Sequence, residues 1–333
     1  MRGIDQLAVI VPVYNEDSVL DVFYERTSAI LDGLADLDTR IVFVNDGSAD
    51  QSLEILKRLA GEDDRVGYIN LSRNFGKEAA MSAALDAVDA DAVIIIDADL
   101  QDPPELIPDM VKLWREGGYD NIYGQRTERH GESLMKRVTA HYFYRFMGGL
   151  GRVTIPRDTG DFRLLSRRAV LALRKLPEHN RFMKGLFAWI GYRQKAMPYS
   201  RDSRFAGDTK FNYWKLWNFA LDGITSFTTL PLKLATYLGA MVAVFAFIYG
   251  FFIVIRTLLY GDPVAGFPTL MTVILFLGGV QLLFLGILGE YLGRMFDETK
   301  GRPLYLIDEE YQVRSPKAQS MEILTAEKEG SHV

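Results

Sequence analysis

The sequence predicts an α/β protein: a Rossmann-like, mostly parallel sheet domain, then an interfacial helix, then a hairpin of two transmembrane helices. Three observations carry this. Short apolar runs alternate with helix-period segments through residues 1–125, the pattern that builds a parallel sheet with helices on both faces. Two uncharged runs lie late in the chain, Leu234–Ile255 and Phe267–Leu288. The mean hydropathy of +0.01 is high for a chain that is 24% charged, so the apolar residues must be concentrated somewhere.

In chain order, Leu7–Val11 reads as a strand. Ser18–Leu34 reads as a helix with Val19, Val22, Phe23, Ile30, Leu31 and Leu34 near one face. Ile41–Val44 is a strand and Ser52–Leu59 a helix; Val66–Leu71 is a strand and Lys77–Val88 a helix. Ala92–Ile96 is a strand, Glu105–Arg115 a helix and Asn121–Tyr123 a strand. Asn212–Thr229 places Trp214, Trp217, Leu221 and Ile224 at helical spacing, as in a helix lying in the headgroup plane. An ordinary packing helix is the alternative. Each late apolar run is about 22 residues, against the ~20 that span a bilayer as a helix. The alternative is a pair of buried core helices, but both runs are apolar on every face.

The implied organisation is a catalytic-type domain over 1–210, a juxtamembrane helix over 211–230, two spans over 231–296 and a tail over 297–333. From Ser315 the tail is polar and reads as unstructured. Met1–Gln6 is polar and Leu7–Val11 too short for a signal peptide. Lys210, Lys215, Lys233, Arg294, Lys300 and Arg302 flank the outer ends of the hairpin, while only Arg256 lies by its connection. That asymmetry places both termini in the cytoplasm of an inner-membrane, multi-pass protein. Gly239 with Gly250, or Gly278 with Gly279, would permit close helix packing and a homo-oligomer.

Composition removes several classes. The net charge of −5 argues against a nucleic-acid partner. The absence of cysteine excludes disulfides, thiolate metal sites and cysteine catalysis. Four histidines show no HExxH spacing, and neither GxGxxG after the first strand nor GxxxxGK[ST] occurs, which disfavours zinc hydrolases, dehydrogenases and P-loop ATPases.

Ligands of open α/β sheets bind beyond the strands' carboxyl ends. Those ends carry Pro12-Val13-Tyr14-Asn15-Glu16, Asn45-Asp46-Gly47-Ser48, Ser72-Arg73-Asn74-Phe75-Gly76-Lys77 and Asp97-Ala98-Asp99-Leu100-Gln101-Asp102-Pro103-Pro104-Glu105. One rim thus collects acids, amides, a tyrosine and glycines. Asp97 and Asp99 offer two carboxylates to a hard divalent ion, Mg²⁺ or Mn²⁺, which takes oxygen ligands and substrate phosphates. Two solvated or capping aspartates are the bland alternative for that pair alone.

These motifs, with Asp158-Thr159-Gly160-Asp161-Phe162-Arg163-Leu164, stand in the order found in family 2 glycosyltransferases. Over about residues 5–300 the chain resembles the polyprenyl-phosphate hexosyltransferase branch, alongside dolichol-phosphate mannose synthase. It is most similar to bactoprenol glucosyltransferases, which carry a C-terminal pair of membrane helices. The resemblance implies a GT-A fold, a UDP-sugar donor, a divalent metal and inversion at the anomeric carbon. It implies that Pro12, Tyr14, Glu16 and Asp46 line the uridine pocket, with Asp46 accepting from the base. Lys77 joins the nucleotide-sugar site. Asp97 lies near ribose and metal, and Asp99, with Gln101, ligates the metal. The acceptor is a polyprenyl (undecaprenyl) phosphate at the membrane lipids. Arginine matches phosphate with paired donors, which points to Arg126, Arg129 and Lys136 in the stretch after the last strand, and to Arg201, Arg204 and Lys210 before the amphipathic segment. Nonspecific headgroup contact is the alternative for Arg201 and Lys210. Asp158 and Asp161 are the catalytic candidates, Asp158 as the base-like group and Asp161 in support, with Arg163 placed to pair with either. The acceptor is already an anion, so positioning serves in place of full proton abstraction. A processive polysaccharide synthase would carry a QxxRW motif, which is missing. A non-catalytic scaffold or flippase partner would have no need of the intact acidic motifs, and two spans with few charges make a poor transport path.

Overall fold

The computed structural model describes residues 5–127, 156, 159–179, 181–200, 230–260 and 266–313. These fall into two units, one holding the described residues up to 200 and again from 303, the other holding 230–302.

The first unit is built on one eight-stranded sheet. Its elements are β1 (Gln6–Val13), α1 (Leu20–Asp32), β2 (Asp38–Asn45), α2 (Ser52–Glu62), β3 (Val66–Leu71), α3 (Lys77–Ala87) and β4 (Ala92–Ile95). A 3₁₀ turn at Pro104–Leu106 leads into α4 (Ile107–Gly117), followed by β5 (Asn121–Arg126), β6 (Thr159–Ser166), α5 (Arg167–Arg174), α6 (Met183–Trp189) and β7 (Gln194–Tyr199). The strand order is β7-β5-β6-β4-β1-β2-β3-β8. Strands β1 to β4 pair in parallel, as do β5 and β7, while β6 runs antiparallel to both β4 and β5.

Parallel strands covered by helices on both faces are apolar almost throughout. All six residues of β3 are buried, as are all four of β4 and five consecutive residues of β1. On one face Leu7, Val9 and Val11 join Phe23, Phe43 and Ile94 in the core, with the Phe23 and Phe43 rings edge to face at 6.2 Å. Each predicted strand and helix through Tyr123 is present, with ends shifted by a few residues.

Two features of the first unit were not expected. The Asp158–Leu164 motif was given no secondary structure; from Thr159 onward it is a buried strand, because Phe162, Leu164 and Leu165 fill the core between β4 and β5. The segment from 297, read as tail, is not one piece. The second long helix runs on to Lys300, and β8 (Ile307–Tyr311) adds an antiparallel edge to β3. All five β8 residues are exposed, so no apolar alternation announces the strand. Its backbone satisfies the open edge of β3, and its acids protect the new edge. The residues from 314 lie outside the described ones, as does the predicted juxtamembrane helix.

The second unit contains α7 (Leu230–Tyr260) and α8 (Phe267–Lys300), of 31 and 34 residues. At 1.5 Å per residue each exceeds the roughly 30 Å of a bilayer's hydrocarbon core. Both are long and apolar enough to cross a membrane. Phe247 is 77% exposed and Leu285 65%, so these are not the buried core helices of the alternative reading. Arg294 and Glu290 pair at 3.2 Å one turn apart near the end of α8.

Candidate active site

The carboxyl ends of β1, β2 and β4, the start of α3 and the amino end of the antiparallel β6 gather the functional side chains. On the β1–β2 side the loops are locked by backbone hydrogen bonds. The Asn15 N–H donates to Ser48 Oγ at 3.0 Å and the Ala49 N–H to Asn15 Oδ1 at 2.8 Å. Asn15 sits at φ 55°, a conformation asparagine tolerates better than most residues. Asp46 is buried; its two carboxylate oxygens accept from the N–H groups of Phe75, at 2.7 Å, and Gly76, at 2.9 Å. Burial raises its pKa, and these two bonds oppose the rise. Gly47, at φ +63°, lies so close to the next loop that a Cβ would stand 2.4 Å from the carbonyl carbon of Arg73. Only glycine permits that approach. Pro12, next to last in β1, lies beside Val44, and Tyr14 is 48% exposed on the rim. The Glu16 N–H donates to Ser52 Oγ at 3.0 Å.

Charge dominates the other side. Lys77, the first residue of α3, places its ammonium 2.6 Å from Asp97 Oδ1 and 2.5 Å from Asp161 Oδ2. Burial works against that charge, but the two carboxylates outweigh it and hold the lysine pKa above its usual range. Burial likewise opposes the Asp161 carboxylate, and the charges of Lys77 and Lys184 overcome it, keeping the group ionised far below the usual carboxylate range. Asp161 is therefore a weak proton acceptor. Arg163 is buried over the Phe187 ring at 3.7 Å. It does not hydrogen-bond the Asp161 carboxylate but donates to the main-chain carbonyls of Gly160, at 2.9 Å, and Asp161, at 3.2 Å. Burial brings its pKa down to about 10, so it stays charged at neutral pH.

Asp99 Oδ1 accepts from the Gln101 N–H at 3.1 Å across Leu100, which is forced to φ 57°. A leucine held there is strained. Gln101 itself is buried. Among the described residues no three histidine, aspartate or glutamate side chains converge as a metal cage. Asp97 and Asp99 are the oxygen donors a hard divalent ion takes, and both Asp97 oxygens lie against the Lys77 ammonium, at 2.6 and 2.8 Å.

The structure thus brings Lys77, Asp97 and Asp161 into contact and sets Asp46 under the Phe75–Gly76 turn. Arg126 lies against Gly160, its Nη2 2.8 Å from where a Cβ would stand. Asp158, Arg129, Lys136, Arg201, Arg204 and Lys210 lie outside the described residues. Two residues were missed in the sequence. Glu78 follows Lys77 on α3; burial and the neighbouring Asp161 push its pKa up to about 8, and among the described residues its buried Oε2 has no hydrogen-bond partner. Lys184, on α6, has its pKa drawn down by burial against the pull of Asp161. A charged pair in the first turn of a helix is a weak signal, and nothing in the sequence around Lys184 marks it.

Comparison with known proteins bears on the same residues. Residues 8–173 match the model of glycosyl transferase family 2, and residues 230–295 match that of the GtrB C-terminal hairpin. An uncharacterised glycosyltransferase of Synechocystis is 50% identical over 304 residues, 91% of this chain and 95% of that protein. The bactoprenol glucosyl transferase of Shigella phage SfV is 46% identical, covering 92% of this chain and 99% of its own. A prophage bactoprenol glucosyl transferase homolog of Escherichia coli K12 is 45% identical over 91% and 98%. Among solved structures, the glucosyl-3-phosphoglycerate synthase of Mycobacterium tuberculosis, in a complex with Mn²⁺, UDP-glucose and phosphoglyceric acid, aligns with a TM-score of 0.46 at 20% identity, over 66% of this chain and 78% of that one. On the family match and on relatives that align along nearly their whole length, the chain belongs to glycosyl transferase family 2: it is a transferase with a GT-A sheet domain and a GtrB-type hairpin.

Proposed function

We propose that the chain transfers glucose, with inversion, from UDP-glucose to a polyprenyl phosphate such as undecaprenyl phosphate, at the cytoplasmic face of the inner membrane. The observation that carries this reading is 45–46% identity to bactoprenol glucosyl transferases, extending over 91–92% of the chain and so taking in the hairpin as well as the sheet domain. The hairpin helices anchor the enzyme where its lipid acceptor lies, with both termini cytoplasmic.

The donor's uridine lies in the cleft between the loops that carry Pro12, Tyr14, Glu16 and Asp46. Its diphosphate approaches Asp97, Asp99 and Gln101. Asp97, Asp99 and Gln101 would hold a Mg²⁺ or Mn²⁺, which would supply charge stabilisation to the diphosphate as it leaves. Lys77 offsets the charge of Asp97 and Asp161, so that an anionic donor enters without facing two bare carboxylates. Arg126, Arg129 and Lys136, with Arg201, Arg204 and Lys210, meet the acceptor's phosphate. One phosphate oxygen attacks the anomeric carbon. The new carbon–oxygen bond forms as the bond to UDP breaks, and UDP leaves with that electron pair. No proton need be abstracted, because the acceptor arrives as an anion. Asp158 positions the phosphate oxygen, and Asp161, ionised and tied to Lys77, sets the field around the reacting carbon. Much of the rate gain is the positioning of two anions that would otherwise repel.

The test is transfer by the full chain in detergent, using radiolabelled UDP-glucose, UDP-N-acetylglucosamine and GDP-mannose with a short polyprenyl phosphate, scored by the mass of the lipid product. Metal-dependent formation of polyprenyl-phosphate glucose is expected. Product from another sugar alone would overturn the choice of glucose. The absence of any lipid product, with intact UDP binding, would favour a scaffold.

A further inference from the structure

We propose that Tyr199 and Asp102 form a positioning pair for Arg126, aiming its guanidinium over Gly160 while leaving its charge for the acceptor's phosphate. This rests on the reading above that Arg126 binds that phosphate.

The geometry begins with strand register. Arg126 and Tyr199 end β5 and β7 as direct partners in a parallel pair. The Tyr199 carbonyl accepts from both the N–H of Thr127, at 3.0 Å, and its Oγ1, at 3.1 Å, so the two strand ends are bound together. The tyrosine ring is buried edge to face against Phe162 at 6.2 Å. It also lies over Gly124, where a Cβ would stand 2.8 Å from the ring. A ring so confined presents its hydroxyl in one direction. That hydroxyl donates to Asp102 Oδ1 in a short bond and accepts from Arg126 Nε at 3.4 Å. Burial and the Asp102 charge keep the tyrosine protonated.

The order of the relay has a chemical consequence. A carboxylate paired directly with a guanidinium neutralises it and occupies the bidentate edge that phosphate would use. Here a neutral hydroxyl stands between Asp102 and Arg126. It holds Nε and leaves the two η nitrogens without an ion pair among the described residues. Nη2 lies over Gly160, where a side chain would displace it: a Cβ would come within 2.8 Å of Nη2 and 3.8 Å of Asp102 Oδ2. Asp161, the next residue, carries the Lys77 contact, so the guanidinium stands beside the reacting site. Glycine at 160, in a strand that otherwise carries side chains into the core, is explained by this clearance.

The test is steady-state transfer by the full chain in detergent, varying polyprenyl phosphate and UDP-glucose separately, for Tyr199→Phe, Gly160→Ala, Arg126→Ala and the Tyr199→Phe/Arg126→Ala double variant. Tyr199→Phe and Gly160→Ala should each raise the KM for the lipid about tenfold, with the donor KM and kcat at saturating lipid within about twofold of wild type. Asp102→Asn, which keeps an acceptor for the hydroxyl, should show a smaller rise of about threefold. In the double variant Tyr199→Phe should add nothing to Arg126→Ala. If Arg126→Ala leaves the lipid KM unchanged, the assignment of Arg126 to the phosphate is wrong. If Arg126→Ala raises it but Tyr199→Phe and Gly160→Ala do not, or their effects multiply in the double variant, the positioning role is overturned and the assignment of Arg126 stands.

Discussion

The two halves of the sheet build their shares of the site by different means. On the parallel side, β1, β2 and β3 carry loops held by hydrogen bonds to main-chain N–H groups: Asn15 to Ala49, Ser48 to Asn15, and Asp46 to Phe75 and Gly76. Where β6, β5 and β7 meet the start of α3 and the loop after β4, side chains do the holding: Lys77 to Asp97 and Asp161, Arg163 to the carbonyls of its own strand, and Arg126 through Tyr199 to Asp102. The first arrangement makes a rigid cleft, so changes there act first on folding. The second sets a field, so changes there act first on transfer.

Substitutions ordered by expected effect test that division. Asp99→Ala is expected to lower transfer about a thousandfold, the order seen when a preorganised electrostatic group is lost, with little change in Tm. Retention of full metal-dependent activity in a radiolabel assay would refute the role given to the aspartate pair. Asp46→Ala should instead act mainly on the fold, costing about 2 kcal/mol because two main-chain donors lose a charged acceptor. Urea denaturation measures this, and an unchanged midpoint with altered donor KM would move Asp46 into the field-setting group.

Glu78 supplies a pH-dependent case. Its folded pKa, about 8, lies above the ordinary carboxyl value of 4.5. Between those values the unfolded chain has lost the proton and the folded chain keeps it, so this group's contribution to stability falls as pH rises from about 5 to 8. Glu78→Gln, which cannot ionise, should show a Tm gain over wild type that is small at pH 5 and grows toward pH 8. A gap that shrinks with rising pH would show that Glu78 is ionised in the fold. The smallest effect belongs to the sheet's far edge, where Lys57 and Glu309 pair at 2.9 Å with both side chains about 40% exposed. Lys57→Ala should leave both Tm and transfer at wild-type values, as exposed pairs commonly do. A measurable loss of transfer would give β8 a larger part in the donor cleft than its edge position suggests. The hydrogen bonds from Asn45 through Asn70 to Asp308 are the route by which it would act.

Legibility followed the same line. The parallel half was readable because strands buried on both faces are continuous apolar runs, as in Val66–Leu71, and because Asn45-Asp46-Gly47-Ser48 and the Asp97–Gln101 stretch are contiguous in sequence. The mixed half was readable only in part. Asp161 and Lys77 were both singled out, but their contact at 2.5 Å, across 84 positions of sequence, had no local signature. Arg163 was expected to pair with an aspartate, yet it bonds main-chain carbonyls, because a buried guanidinium takes the acceptors its strand position offers. Asp102 was quoted within its motif without a role and Tyr199 was not singled out, since nothing local to either residue names its partner.

By itself the sequence determined the alternating sheet domain, the two apolar helices and the acidic rim, because period, run length and strand-end residues are local properties of the chain. Only the tertiary structure decided which charges meet. It brought Thr159–Ser166 between β4 and β5, returned Ile307–Tyr311 to the edge of β3, and set Lys77 between two carboxylates. Each of these is a pairing between distant segments, fixed by the need to satisfy strand backbones and buried charges rather than by any local pattern.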